Sequence, residues 1–122
     1  MSAYGDLMDF LNEGEAVEAI VFGPWGWGTA PDEGGEWERD YHEPENIPVP
    51  FSVRGRVLTL AEAKPYMDGW SFDNDFGAPD CYAVTVWTDS RVLFVGEYDG
   101  ATWLCSVPRN QCETMPEMTG GG

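Results

Sequence analysis

Between residues 81 and 107 apolar and polar positions alternate in three short runs, CYAVTVWT, RVLFVGEY and ATWLCSV, separated by Asp89-Ser90 and Asp99-Gly100. Alternation broken by two-residue connections, the second a favoured type I′ pair, predicts a three-stranded antiparallel meander. Counting outward from the turns places Trp103 opposite Gly96, with Ala83 on the other side of Gly96, so two small residues make room for one indole. One face then collects Val84, Val86, Leu93, Val95 and Leu104; the other collects Trp87, Val92, Phe94, Trp103, Cys105 and Val107. Both faces are apolar and both need a cover: helices on one side, and the Trp-rich loops or a second copy on the other.

Upstream the period changes. Tyr4, Leu7, Met8 and Leu11 form one stripe of a helix over 3–13, capped by Ser2 and stopped by Gly14. Ala19 to Phe22 is short, apolar and partly β-branched, which predicts a buried strand ended by Pro24. Arg54 to Leu58 fits a short strand, and Thr59 with Glu62 spells a capping box that starts a helix near Leu60. Pro65 should kink or end that helix. Residues 29–50 and 69–80 carry no period and are read as loops. The expected fold is therefore α+β: an antiparallel sheet of about four strands with two short helices and long Trp-lined and acidic loops. A single domain over 1–115 would be followed by a flexible tail, 116–122.

Composition changes the picture through charge. Twenty-two acids against six Lys and Arg leave a formal net of −16, and residues 1–50 hold twelve of those acids against Arg39 alone. Such a surface disfavours nucleic acid and anionic lipid as direct partners and favours basic proteins or cations. At 43% apolar with six Trp, the chain is too rich in large apolar groups to be a disordered acidic polymer. The N-terminal MSAYGDLMDFLNEGE has no basic region and no long apolar run, so neither a signal peptide nor a membrane span is expected. Cys81, Cys105 and Cys112 show no Cys-x-x-Cys spacing and read as reduced cytosolic thiols, one disulfide with a spare thiol being the alternative.

Candidate chemistry centres on DEGGEWERDYHEPE, residues 32–45, with Asp32, Glu33, Glu36, Glu38, Asp40, Glu43 and Glu45. In an extended chain Glu36, Glu38 and Asp40 share one side at about 6.6–6.8 Å intervals. That is about twice the ~3.4 Å charge interval of one DNA strand. Such a row suits a basic groove built for a phosphate backbone, with Trp37 and Tyr41 imitating stacked bases; a solvated, idle loop is the plainer reading. Asp73-x-Asp75-x-Gly77, with Asp68 and Asp80 nearby, resembles the opening of a calcium loop but lacks its third ligand and its closing Glu, so a self-bonded turn is preferred. His42 stands alone, and in this acidic field a cysteine thiolate is disfavoured, which argues against Cys–His catalysis. Trp87 and Trp103 read as core, Trp37 and Trp70 as loop aromatics, and Trp25 and Trp27 fit an interface as well as a core. No cofactor is implied.

The blocks EAIVFGPWGWG (18–28), GRVLTLAEAKPYMDGWSFDNDFGAPDCYAV (55–84) and WTDSRVLFVGEYDGATWLCSVPRN (87–110) together resemble a group of small bacteriophage- and prophage-encoded proteins to which no activity is attached. The resemblance covers roughly half the chain. It implies context: a phage product acting in the cytoplasm of a bacterial host. Residues 32–45 are least like that group, which makes the body a scaffold and the charged loop specific to this member. The expectation is a non-enzymatic, anti-CRISPR-like inhibitor that mimics nucleic acid, with Asp32, Glu33, Glu36, Trp37, Glu38, Asp40, Tyr41, Glu43, Glu45, Trp25 and Trp27 meeting a basic host protein. That partner would be a CRISPR effector, a restriction enzyme or a transcription factor. The alternatives are a self-assembling phage protein, dimerising through the second sheet face, and a sponge for a nucleotide signal built from the tryptophans.

Overall fold

The computed structural model describes residues 2–72, 77 and 79–119. Along the chain run helix α1 (Ala3–Phe10), strand β1 (Val17–Trp25), helix α2 (Leu60–Ala63) with a 3-10 turn (Lys64–Met67), and strands β2 (Tyr82–Thr88), β3 (Arg91–Tyr98) and β4 (Ala101–Pro108). The four strands form one antiparallel sheet in the order β1-β2-β3-β4. The fold is α+β.

The meander closes as its turn chemistry dictates. Asp99 and Gly100 both hold positive φ, 48° and 91°, as a type I′ turn requires. At the other connection the Thr88 hydroxyl accepts from the Ser90 and Arg91 N–H groups at 3.2 and 2.8 Å. Trp103 pairs with Gly96. A Cβ on Gly96 would meet the Trp103 Nε1 and the Cys105 Sγ at 2.8 Å, so the indole lies in space that only glycine leaves open.

Helix α1 starts where its cap predicts, with the Ser2 hydroxyl accepting from the Gly5 N–H at 3.1 Å. It stops at Phe10, short of the predicted 13, because the Glu15 carboxylate takes the Asn12 N–H at 2.9 Å and turns the chain toward β1. Strand β1 is longer than the run of four apolar residues that announced it. It continues through Pro24 to Trp25, and the ladder slips between Phe22 and Trp25, where a residue without an N–H does least harm. The capping box at Thr59 forms in both directions, and Pro65 converts α2 into the 3-10 turn. The strand expected over 54–58 does not form. Gly55 takes φ 79° and donates to the Phe22 carbonyl at 2.8 Å, so the chain turns away from the sheet and only Leu58 bridges to Ile20.

One sheet face carries the core. Ile20, Phe22, Tyr82, Val84, Val86, Leu93 and Leu104 pack with Ala3 and Leu7 of α1, with Ala63 and Met67, and with Trp70 and Phe72. Each buried Val, Leu, Ile, Phe or Met among them contributes roughly 1.5–3 kcal/mol by leaving water. The Trp-rich loops were expected on the opposite face; they lie on this one. Trp25 and Trp70 both pack edge-on against Tyr82 with ring centroids 5.0 Å apart, so both are core and not interface aromatics. Trp103, expected in the core, stays 39% exposed on the outward face.

Candidate functional site

The acidic loop divides into two limbs that behave differently. The inner limb, 41–54, is tied into the protein by Arg54, whose five planar N–H donors suit several acceptors at once. The Arg54 Nη2 donates to Glu43 Oε2, its Nε donates to the Val49 carbonyl at 3.2 Å, and its side chain is 1% exposed. The Tyr82 hydroxyl donates to the same Glu43 oxygen at 2.6 Å and accepts from the Val49 N–H at 3.3 Å. Burial, reinforced by that bond to Glu43, pushes the Tyr82 phenol well above its ordinary range. Around the guanidinium stand the rings of Phe51, Tyr82 and Trp37 at 4.7, 5.0 and 5.2 Å. A charge removed from water needs such a set of partners to persist.

Glu43 is therefore not a surface acid. At 2% exposed it is an anchor, which corrects its place among the partner-binding residues. The same correction holds for Trp25, 3% exposed, whose indole N–H has no acceptor among the described residues. Asp40 is half-buried and accepts the His42 N–H at 2.9 Å, so its carboxylate holds its own turn.

The outer limb is the remainder. Asp32, Glu33, Glu36 and Glu38 are exposed there, as is Glu45 on the inner limb. Trp37 is half-buried over Arg54, fixing the segment between Glu36 and Glu38 to the body. Tyr41 is 87% exposed and meets only the His42 ring among the described aromatic contacts, and Trp27 is 67% exposed on the neighbouring turn. That turn needs Gly26: its φ is 58°, and a Cβ there would stand 2.8 Å from the Pro79 carbonyl. Where the limbs meet, Trp25, Trp37, Glu38, Asp40, Tyr41 and Arg54 line a cleft of about 260 Å³.

Three of the bases outside the loop are engaged elsewhere. Arg91 clamps Glu15 with two bonds of 2.6 and 2.9 Å, and Arg109 pairs with Glu18. Hydrogen bonding to Arg91 holds the Glu15 carboxyl far below the usual carboxylate range. Lys64 lies over the Tyr4 ring at 4.8 Å. Within residues 29–50 the only base is Arg39, and from beyond them Arg54 offsets Glu43.

Other candidate chemistry finds little support. Burial pushes the Cys81 thiol up to about 11, so it stays protonated at neutral pH. Cys105 is half-buried on the outward sheet face and not in the core, and Cys112 is exposed. Among the described residues no three His, Cys, Asp or Glu gather as a metal site; Asp73 and Asp75 lie outside the described residues. No described helix is long and apolar enough to cross a membrane.

Sequence reasoning missed Arg54 and Tyr82 as the anchors of the loop. The available signal was a base embedded in an apolar run, FSVRG, shortly after a segment with a large acidic excess. Comparison with family models, curated proteins and solved structures returns no match for the chain.

Proposed function

We propose that the protein is a phage-encoded, non-enzymatic inhibitor that acts in the host cytoplasm by presenting the outer limb of its acidic loop to the nucleic-acid-binding groove of a basic host protein. The observation that carries this reading is the separation of the limbs. The buried Glu43–Arg54–Tyr82 cluster holds the loop in place, while Asp32, Glu33, Glu36 and Glu38 stand exposed beside a fixed Trp37. Charge needed only for solubility gains nothing from a buried anchor. Charge meant for a cleft gains preorganisation, since less freedom is lost on binding.

The mechanism is competition. Carboxylates take the places of phosphates against the partner's Lys and Arg, and opposite fields speed the encounter. Tyr41 and Trp27 supply apolar surface at the rim. A CRISPR effector, a restriction enzyme or a transcription factor has the required groove.

The test is a variant with Asp32→Asn, Glu33→Gln, Glu36→Gln and Glu38→Gln. Asp40 and Glu43 are left alone because they hold the loop. Capture of a nucleic-acid-binding host protein should be lost, with unfolding free energy within about 0.5 kcal/mol of the parent. Capture that survives these changes would remove the proposal.

A further inference from the structure

The outward face of β3 and β4 has a cover supplied by the chain itself. Alternation turns Phe94, Trp103, Cys105 and Val107 away from the core. Residues 114–119 lie over them around a hollow of about 530 Å³. The segment reaches across β4 to β3, since a Cβ on Gly96 would meet Thr119 Cγ2 at 2.9 Å and Cys105 Sγ at 2.8 Å. This cover is held weakly. Every residue from 111 to 119 is exposed, and Met115 and Met118, at 80% and 100%, turn their apolar surface to water. Among the described residues no hydrogen bond or ion pair joins residues 110–119 to the body. The last ties belong to Arg109, whose backbone N–H donates to the Ser90 carbonyl at 3.0 Å and whose Nη1 donates to the Thr88 carbonyl at 2.8 Å and to Glu18. Beyond Arg109 the segment carries Glu113 and Glu117 and no base, in a chain of net −16, so repulsion from the body opposes closure.

We infer that residues 111–119 are a strap hinged just beyond Arg109. Apolar contact closes it over the β3–β4 face, and charge repulsion lifts it. The open state bares Phe94, Trp103, Cys105 and Val107 together. Lifting breaks no hydrogen bond to the body among the described residues, so it is a local opening and not a step of global unfolding. Its balance depends on salt, because screening weakens the repulsion and leaves the apolar contact in place.

The three thiols report on the strap in the intact chain. Cys112 is exposed on it, Cys105 is half-buried beneath it, and Cys81 is 2% exposed in the core. Labelling with N-ethylmaleimide, a neutral reagent, followed by mass spectrometry of the peptides gives three rates from one sample. Cys105 should react at least tenfold slower than Cys112 and at least tenfold faster than Cys81, which waits for global unfolding. Raising salt from about 20 mM to about 0.5 M should widen the ratio of Cys112 to Cys105 at least twofold. Thr119→Asp adds a charge where the strap meets Gly96, at an exposed position outside the core. It should bring Cys105 within threefold of Cys112 and leave Cys81 unchanged. A Cys105 as fast as Cys112 in the parent would show that no strap closes. A Cys105 rate that follows Cys81, that Thr119→Asp does not raise, or whose ratio to Cys112 ignores salt would equally overturn the inference.

Discussion

Glu36 and Glu43 belong to one loop and end in opposite surroundings. Glu43 sits in the interior against Arg54 and Tyr82; Glu36 faces water with no base assigned to it. The difference shows how a chain with so few bases distributes them. Three arginines are committed to carboxylates that join distant elements: Arg54 to the loop, Arg91 to the connection between α1 and β1, and Arg109 to β1. Of the acids left without a base, Asp32, Glu33, Glu36 and Glu38 stand together within seven positions on the outer limb. Anchored and presented charges are two products of one allocation.

The contrast is easiest to break at Arg54. Arg54→Ala leaves Glu43 buried without its cation and removes the platform beneath Trp37, so about 3–5 kcal/mol of stability should disappear in urea unfolding. If Glu43 were a presented acid, the loss would be a few tenths. Tyr82→Phe is milder: the ring packing stays, but Glu43 loses a donor and the Val49 N–H its acceptor, for about 1–3 kcal/mol.

Glu15 sharpens the comparison through pH. Its carboxyl is depressed in the folded protein, so its charged form stabilises the fold at pH values above the ordinary carboxylate pKa of about 4.3. That stabilisation fades as pH falls below this value toward the folded one. Urea midpoints of the parent and Glu15→Gln should differ at pH 7 and converge toward pH 3; a gap that does not narrow would deny the anchor its charge. Smallest is the expected effect on stability of neutralising the outer limb, within about 0.5 kcal/mol and, if anything, favourable, because self-repulsion falls.

Local signals carried most of the fold. The meander was legible because its period, its two-residue turns and the Trp103–Gly96 pairing agree, and both helix starts were legible from Ser2 and Thr59. The supposed strand at 54–58 failed because tertiary geometry overrode propensity: Gly55 turned the chain and Arg54 was drawn inward by Glu43. Glu43 could not be told from its neighbours, since pairing with Tyr82 across 39 positions leaves no periodic trace. Trp25 and Trp27 likewise share one motif and separate only when Trp25 meets Tyr82.

The central claim is most directly tested by competition on the immobilised protein. A host protein captured at about 50 mM salt should be released by duplex DNA or by raising salt to about 200 mM, as expected when carboxylates stand where phosphates bind. A captured protein that holds on through both treatments, or that binds polynucleotide and this chain together, would contradict it.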